Sequence, residues 1–258
     1  MLTFDQVKEG YPAGLSTRSA KAVLTEYLQY EILDSLFKHK IAGYLSFIGG
    51  TAIRIVEGSA RFSEDVDFDN FGLSFKQFAN LVDKLGKDLE YKGFEVEIKK
   101  IEQAAYHCYL RFPKLLFEYG LSPLVEQKVL VKIDTERKEV IPQVRSFILD
   151  RFGVYRTIRV NTTSVLLSQK LLAAMQRARS RGRDFYDISF LWARVDPDYN
   201  YLEQVLDLPK QQFIEFFLSK LPDLDFQALA EDVRPFLHNP QDLERILTFE
   251  AYARQKLG

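Results

Sequence analysis

Two neighbouring stretches of the sequence decide the fold: FIGGT at residues 47–51 and RFSEDVDF at residues 61–68. The first ends a short run of strand-forming residues with two glycines, and a segment that favours a short helix, residues 51–56, follows it. A glycine pair between a strand and a helix lets backbone N–H groups approach a phosphate, because no Cβ is in the way, and the helix N-terminus adds a favourable dipole. The hydroxyl of Thr51 is a further candidate donor.

The second stretch continues into alternating acidic and apolar residues, 65–69, which predicts a strand with its carboxylates on one face. Asp65 and Asp67 then project to the same side and can share a divalent cation. Mg²⁺ prefers hard oxygen ligands and takes one or two carboxylates together with substrate phosphates. Two carboxylates this close repel each other unless a cation is present. The alternative is a solvated strand edge on which these acids are simply exposed.

Together the two stretches resemble the signature of the nucleotidyltransferases of the AbiEii/AbiGii toxin family, which share the DNA polymerase β-like core. The residues that carry the resemblance are Gly49, Gly50, Thr51, Ala52, Arg61, Ser63, Asp65, Asp67 and Phe68. The resemblance implies that the glycine turn holds a triphosphate. It also implies that Asp65 and Asp67, with a third acid from a neighbouring strand, bind Mg²⁺, with Mn²⁺ as the alternative metal.

The candidate for the third acid is Asp134. It lies in an alternating stretch, 129–135, that puts Lys132 and Asp134 on one face. The resemblance implies that the third acid completes the metal site and acts as a base on the acceptor hydroxyl. Glu126 and Glu136 are competing acids nearby, and a lone Asp at the end of a strand also serves as a turn residue.

A second match to the same family lies in the C-terminal part of the chain. Lys170 borders the apolar face of a predicted helix, 162–178, where a lysine must reach solvent or find an anion. The stretch that follows, RARSRGRDFYDI at 177–188, resembles the family's basic segment and its Arg-Asp-x-x-Asp pattern. The resemblance implies that Lys170 contacts the nucleotide phosphates and that Asp187 serves the active site, as a base or as an orienter of Lys170 or Arg183.

These matches define two sets of predicted site residues. The catalytic residues are Asp65, Asp67, Asp134, Lys170 and Asp187, of which the three aspartates before Lys170 are the metal ligands. The nucleotide-binding residues are Gly49, Gly50, Thr51, Arg61, Ser63, Lys170 and Arg183. Asp184 and Asp187 also have a structural interpretation. Asp184 would cap the next helix, which is the role that we expect for it, and Asp187 would pair with an arginine.

The charge balance excludes a general nucleic-acid binder. The 35 Lys and Arg nearly cancel the 36 Asp and Glu, and the formal net charge is -1, so no global basic field surrounds the protein. Four arginines between residues 177 and 183, with no acid among them, form a local patch that can neutralise a triphosphate or an RNA backbone. The alternative for this patch is a solvated helix end.

Other classes of function lack support. The single cysteine, Cys108, allows no internal disulfide and is predicted to be a buried apolar residue in a reducing compartment. The three histidines, His39, His107 and His238, lack zinc-ligand spacing, and the chain has no Walker-type phosphate loop. The N-terminal sequence has no signal-peptide pattern, and no stretch approaches the ~20 apolar residues of a membrane span. The predicted location is the cytoplasm.

Around the motifs, the periodicity predicts a helix at 17–39 capped by Ser16 or Thr17, and a second helix through Tyr91 that a Ser74–Gln77 capping box opens. Strand-like stretches follow at 94–101, 105–117 and 124–135. From Asn161 onward the predicted helices are 162–178, 184–194, 199–206, 210–220, 224–232 and 241–256. We assign the aromatic residues of this part, such as Phe213, Phe216 and Phe217, to its core.

The expected fold class is α/β (α+β), with a mixed or antiparallel sheet flanked by helices and followed by a helical domain. The expected domains are a nucleotidyltransferase catalytic domain, 1–160, and a helical domain, 161–258, that contributes to the active-site cleft. The expected reaction is Mg²⁺-dependent transfer of a nucleoside monophosphate from an NTP to an acceptor, with release of pyrophosphate.

The resemblance adds a biological setting, the toxins of bacterial toxin–antitoxin or abortive-infection systems, some of which modify tRNA. RNA such as tRNA is therefore the expected acceptor, and a cognate antitoxin is an expected partner. The alternatives are nucleotidylation of a protein or a small molecule, or a nucleotide-binding regulatory protein without catalysis. No residue pattern selects among the four bases.

Overall fold

The computed structural model describes residues 1–12, 14–15 and 19–258, so the predicted cap at Ser16 or Thr17 lies outside the described residues. The chain divides into two compact units. Unit 1 comprises Met1–Ala52, Ser63–Glu139 and Val144–Val160. Unit 2 comprises Ile53–Phe62, Val140–Gln143 and Asn161–Gly258. Two short segments from before residue 160 therefore belong with the C-terminal helices.

Unit 1 is built on a mixed sheet, which confirms the predicted fold class. In the described part of the chain the seven strands are β1 Leu45–Ile48, β2 Val66–Asn70, β3 Glu97–Glu102, β4 Tyr106–Phe112, β5 Val129–Arg137, β6 Val144–Arg151 and β7 Val154–Asn161, in the order β3-β4-β5-β2-β1-β7-β6. Strand β1 is antiparallel to β2 and parallel to β7. Strand β2 is parallel to β5, while β3–β4 and β4–β5 are antiparallel. The acidic strand β2 is thus central, with neighbours on both sides.

Helices surround this sheet in unit 1. They are α1 Phe4–Lys8, α2 Ala20–Phe37, α4 Phe75–Tyr91 and α5 Leu115–Glu118, and α3 Gly49–Glu57 begins directly after β1. The apolar stripe predicted on α2 is fully buried: Leu24, Tyr27, Leu28, Ile32 and Leu36 are each 0% exposed. Helix α4 opens with the predicted capping box, in which the side chains and backbone N–H groups of Ser74 and Gln77 bond reciprocally.

The structure differs from the prediction at several places in unit 1: β5 begins at Val129 instead of 124, α3 begins at Gly49 instead of 51, and two further differences are larger. Strand β4 ends at Phe112 instead of continuing to 117, because Pro113 lacks an N–H donor and Lys114 adopts a left-handed φ of 60° before the short helix α5. Strands β6 and β7 were not predicted. They are joined by Phe152 and Gly153, both at positive φ, which is the backbone geometry of a tight two-residue hairpin turn.

Unit 2 consists largely of helices packed around α7 Gly182–Trp192, of which nearly every residue is buried. The other helices are α6 Thr163–Gln176, α8 Tyr199–Leu206, α9 Lys210–Lys220, α10 Phe226–Val233, α11 Glu244–Leu247 and α12 Phe249–Leu257. The core contains Trp192, Phe213 and Phe217, each 1% exposed. Phe216 is 41% exposed, so its assignment to the core was wrong.

Two expectations about the chain as a whole can be compared with the structure. None of the described helices combines the length and the apolar character that crossing a membrane requires. Cys108 is fully buried, as predicted, and burial raises the pKa of its thiol to about 12. The thiolate that a nucleophile or a metal ligand requires is therefore disfavoured at neutral pH.

Candidate active site

The glycine turn and the acidic strand are in contact in unit 1. Gly49 follows β1 directly and has a φ of 77°, in the region that favours glycine. A Cβ built on Gly49 would lie 2.3 Å from Oδ2 of Asp67, so the Asp67 carboxylate occupies the space that a side chain would need. The first residue of this turn must therefore be glycine for two reasons, its backbone conformation and the close approach of Asp67.

The strand register brings the predicted acids together. Asp67 pairs with Ile48 of β1 on one side and with Asp134 of the parallel strand β5 on the other. Residues opposite each other on adjacent strands share a face of the sheet, so the Asp67 and Asp134 carboxylates project the same way. Asp65 is two residues before Asp67 and, like it, only partly buried. We call Asp65, Asp67 and Asp134 the acid cluster.

Asp134 already has two partners in unit 1. Its Oδ1 lies 2.7 Å from Nδ1 of His107, the residue opposite it on β4, and its Oδ2 accepts a hydrogen bond of 2.7 Å from Nζ of Lys132. The Lys132 ammonium is partly buried, which opposes its charged form, but the bond to Asp134 prevails and raises the Lys132 pKa above its ordinary value. The alternation predicted for β5, with Lys132 and Asp134 on one face, is confirmed.

Both oxygens of Asp134 are engaged. The described residues contain no group of three or more His, Cys, Asp or Glu side chains arranged as a metal site. The donor set nevertheless suits Mg²⁺. It supplies only carboxylate oxygens, two of them from residues paired directly across parallel strands, and leaves the remaining positions to water and phosphate. Lys132 supplies the positive charge beside Asp134 in this structure. The competing acid Glu136 lies further along β5, is 65% exposed on its side chain, and pairs with Lys138.

Two of the predicted nucleotide-binding residues in unit 1 are tied to the protein itself. The buried hydroxyl of Thr51 donates a hydrogen bond to the backbone carbonyl of Asp65, so it fixes the start of the acidic strand instead of facing a ligand. The backbone at Ser63 and Glu64 is held from the other side by the buried amide of Gln29, which donates to both carbonyls at 2.9 and 3.1 Å. The loop that carries Asp65 is therefore anchored at both ends.

The remaining predicted residues lie in unit 2, where Arg61 and Asp187 form a buried ion pair. The Arg61 guanidinium donates from Nε and NH2 to the two oxygens of Asp187 at 2.6 and 2.5 Å, and the two side chains are 2% and 0% exposed. Residues 60–62 pair with residues 236–238 through an isolated antiparallel β-bridge between Arg61 and Leu237 and two flanking backbone hydrogen bonds. Arg61 was predicted to bind nucleotide; in the structure it is buried and contacts Asp187.

Lys170 joins the same network from helix α6. Its Nζ lies 2.9 Å from Oδ2 of Asp187 and 3.0 Å from Oδ1 of Asp184, while Arg177 lies 3.0 Å from the other oxygen of Asp184. Three cations thus surround two carboxylates. We call Arg61, Lys170, Arg177, Asp184 and Asp187 the buried ion network.

The network sets the charge states of its members. Burial disfavours the charged form of Asp187, but the Arg61 and Lys170 cations outweigh it, and the pKa of Asp187 lies below its ordinary value. Burial likewise opposes the charge on Lys170, but the two aspartates raise the pKa of its ammonium. Asp187 is therefore an anion and Lys170 a cation throughout the neutral range.

The expected capping role of Asp184 was wrong. Helix α7 begins at Gly182, earlier than predicted, and Asp184 lies in its first turn without capping it. The N–H of Gly182 donates instead to Oδ2 of Asp232 in α10, at 2.9 Å. A Cβ on Gly182 would lie 1.8 Å from the carbonyl oxygen of Leu229, so this glycine permits the close packing of α7 on α10.

The basic run at 177–183 divides into two parts. Arg177 pairs with Asp184, and the guanidinium of Arg183 lies 4.7 Å from the ring centroid of Phe236. Arg179 and Arg181 are exposed. Arg179 and Arg181 are thus available to a polyanion, whereas Arg177, although 42% exposed, and Arg183 each contact a residue of unit 2.

Sequence reasoning missed three residues that hold the predicted site in place: His107, Gln29 and Lys132 in its contact with Asp134. His107 was considered only as a zinc ligand. The alternation of residues 106–112 indicates which face of β4 it occupies, but its position opposite Asp134 depends on the register between β4 and β5. Gln29 lies in the buried part of α2, where a polar residue among apolar neighbours indicates that it has a specific partner.

The fold and the motifs define a class of protein, a nucleotidyltransferase-type mixed sheet with an attached helical unit. A family model described as the nucleotidyl transferase AbiEii toxin of a type IV toxin–antitoxin system matches residues 31–253. Because this match covers most of the chain, the protein belongs to the AbiEii nucleotidyltransferase toxin family.

Solved structures share the fold. The crystal structure of JHP933 from Helicobacter pylori is similar at a TM-score of 0.59 and 17% sequence identity, over 93% of this chain and 94% of that one. A candidate nucleotidyltransferase from H. pylori is similar at a TM-score of 0.59 and 17% identity, over 93% of this chain and 97% of that one. No curated protein sequence matches the chain. At these identities the likeness to the solved structures shows the fold alone.

Proposed function

We propose that this protein is a Mg²⁺-dependent nucleotidyltransferase that transfers a nucleoside monophosphate from an NTP to an RNA acceptor such as tRNA. The observation that carries the proposal is the pairing of Asp67 with Asp134 across parallel strands, with Asp65 beside them and the Gly49 turn against Asp67. Carboxylates so close to one another repel unless a cation compensates them, and a glycine turn at the start of a helix suits a phosphate.

The acid cluster would hold the metal. The metal, Mg²⁺ with Mn²⁺ as the alternative, would supply positive charge there against the charge that develops at the α-phosphorus. The backbone N–H groups at Gly49 and Gly50 would receive the phosphates, because no side chain blocks their approach. Thr51 acts indirectly, by fixing the backbone of Asp65. Ser63 lies on the same anchored loop and remains a candidate contact to the nucleotide.

The proposed reaction is a displacement at the α-phosphorus. The oxygen of an acceptor hydroxyl forms a bond to this phosphorus while the bond to the α–β bridging oxygen breaks. The electron pair of the broken bond leaves with pyrophosphate, and the hydroxyl proton passes to a base. Asp134 is the candidate base, and His107 holds its Oδ1 at 2.7 Å.

In unit 2 we assign Lys170 the role of a phosphate-binding cation and Asp187 that of its orienter. Asp187 is fully buried, is bonded to Arg61 and Lys170, and has a lowered pKa, all of which make it a poor proton acceptor. The same contacts suit it to fix the position of the Lys170 ammonium. Arg61 then acts through Asp187. Arg183, whose guanidinium lies 4.7 Å from the ring centroid of Phe236, is the proposed nucleotide contact, and the exposed Arg179 and Arg181 are the proposed contacts to a polyanion.

The family supplies the setting for this chemistry. The AbiEii profile describes a toxin of a type IV toxin–antitoxin system, which supports a cognate antitoxin as a partner and an NTP as the substrate. A cytoplasmic location follows from the proposed RNA acceptor.

The test is a transfer assay with purified protein, each of the four α-³²P-labelled NTPs, Mg²⁺ and total RNA. Label in tRNA supports the proposal, and omission of Mg²⁺ should abolish it. Label in protein or in a small molecule would overturn the RNA acceptor and keep the chemistry. Binding of NTP without transfer, under conditions in which the antitoxin is absent, would overturn the enzymatic function for this chain.

A further inference from the structure

Unit 1 has a concave site beside β6 and β7 whose lining does not include the acid cluster. It is a cavity of about 360 Å³ whose lining includes the cationic residues Lys40, Arg145 and Arg159, together with His39, Ser146 and Thr157. None of the described residues that line it is acidic. We call this cavity the basic pocket.

Two of these cations keep their charge available. Among the residues that the structure describes, neither Lys40 nor Arg159 has a carboxylate within ion-pair distance, and Lys40 is exposed. The same hairpin offers a contrast, because Arg151 and Arg156 lie 2.8 Å from carboxylates of helix α2 and are neutralised there. Arg151 and Arg156 therefore bind α2, whereas Arg159 forms no ion pair with α2 among the described residues.

The guanidinium of Arg159 is held in place before any ligand arrives. Its NH1 donates to the carbonyl of Gly43 at 2.7 Å, and its Cζ lies 5.1 Å from the ring centroid of Phe71. Its buried Nε has no hydrogen-bond acceptor in the described part of the chain. A planar guanidinium that is already oriented loses little conformational entropy on binding, and it matches the oxygens of a phosphate. The basic pocket is thus suited to a phosphate group.

The strand register gives the distance from the basic pocket to the acid cluster. Phe47 of β1 pairs with Val160 of β7 on one side and with Phe68 of β2 on the other. Because β7 is parallel to β1 and β2 is antiparallel to it, Arg159 lies level with Ser46 and Asp67 lies level with Ile48. Their Cα atoms are therefore two strand spacings and two residues apart, or about 12 Å. A phosphate at this distance from the acids lies beyond the triphosphate that the acids would hold, and it fits a polymer that crosses the sheet.

We propose that the basic pocket binds a backbone phosphate of the RNA acceptor. This inference rests on the proposed function for the identity of the polymer. It adds a contact outside the acid cluster and the buried ion network, at which the acceptor is held independently of the nucleotide. Phosphate contacts of this kind position a nucleic acid without reading its bases.

The test measures RNA binding without NTP or Mg²⁺, by fluorescence anisotropy of a labelled single-stranded RNA over a range of salt concentrations. The double variant Lys40→Ala/Arg159→Gln should bind roughly tenfold more weakly, and its salt dependence should fall by about 1.4 in the slope of log affinity against log salt. Lys38→Ala is the matched control. It removes the same charge two residues from Lys40, but from a lysine that pairs with Asp88 at 2.7 Å outside the basic pocket.

The single variant Lys40→Ala guards against a folding defect at Arg159, since Lys40 is exposed, and it should show about half of the change in slope. Unchanged RNA affinity in the double variant would overturn the inference. An equal loss of NTP affinity would also overturn it, because the pocket would then belong to the nucleotide site. Equal binding of poly-glutamate, lost in the same variant, would assign the pocket to an acidic protein partner instead. The RNA-binding assay needs no turnover, so it can still be interpreted if the transfer assay shows no activity.

Discussion

The acid cluster of unit 1 and the buried ion network of unit 2 contain similar residue types in opposite surroundings. The side chain of Asp134 is 27% exposed and its partners are partly exposed as well, whereas Asp187 and Arg61 are 0% and 2% exposed. The cluster gathers like charges at the surface of a sheet. The network alternates opposite charges inside a helical core. A carboxylate in the first setting is partly exposed to solvent, whereas a carboxylate in the second is enclosed among cations of the fold.

The largest expected effect comes from the acid cluster. Asp67→Asn should lower nucleotide transfer by about 10³-fold or more, the scale on which loss of one electrostatic stabiliser of a transition state is felt. The free energy of unfolding should change by less than about 0.5 kcal/mol, because like-charge repulsion is relieved as contacts are lost. Labelled-NTP transfer and urea denaturation measure the two quantities.

The control for Asp67→Asn is Glu136→Gln, which removes an exposed acid from the neighbouring strand β5. It should leave transfer unchanged. Full activity in Asp67→Asn would contradict the metal role of the cluster.

In the buried ion network, substitution should have a large effect on the free energy of unfolding. Asp187→Asn leaves the Arg61 guanidinium buried without its counter-charge, and it should destabilise the protein by about 3–5 kcal/mol. The double variant Arg61→Met/Asp187→Leu removes both charges and should recover much of this loss. A loss below about 1 kcal/mol in Asp187→Asn, measured by urea denaturation, would show that the network contributes little to the fold.

Stabilisation by Mg²⁺ should also distinguish the acid cluster from the buried ion network. If the acid cluster binds Mg²⁺, the metal at 100 times its dissociation constant should stabilise the wild-type protein by about 2.7 kcal/mol. The stabilisation should be absent in Asp67→Asn and retained in Lys170→Met. Differential scanning fluorimetry over a Mg²⁺ series gives the shift, and Ca²⁺ tests its selectivity. A shift that persists in Asp67→Asn would place the metal elsewhere.

The smallest expected effect concerns pH. The pKa of Asp187 is lowered in the folded protein, so its contribution to stability is present above the unfolded value of about 3.9 and is lost as pH falls through the lower, folded value. The stability difference between the wild type and Asp187→Asn should therefore be constant from pH 5 to 8 and shrink below about pH 4, by at most about 1.4 kcal/mol per pH unit. Urea denaturation at each pH provides the curve. A difference that shrinks near neutral pH would contradict the lowered pKa.

Local patterns predicted much of what these two regions are made from. The alternation at 65–69 and 129–135 predicted β2, β5 and the face that Asp67 and Asp134 share, while Asp65 lies one residue before β2. The Ser74–Gln77 pair gave the start of α4 to the residue. These features depend on residues a few positions apart, whose geometry is fixed by the period of a strand or a helix.

Features that depend on distant residues escaped the prediction. The pair of strands β6 and β7 was missed because its turn, Phe152-Gly153, includes a non-glycine residue at positive φ that no composition rule marks. The Asp184 role was wrong because α7 starts where Gly182 can approach Leu229, a contact between helices. The resemblance assigned Arg61 to the nucleotide, and its ion pair with Asp187 was not predicted because the two residues are 126 positions apart.

The sequence by itself determined the mixed α/β class, the glycine turn, the acidic strand and the family to which they belong, because each is a pattern within one short segment. The tertiary structure determines which carboxylates remain partly exposed and which are enclosed among buried cations. Asp67 and Asp187 are the same side chain, and burial beside Arg61 and Lys170 separates them. That difference arises from long-range packing, which sets both the dielectric environment and the partners of each charge.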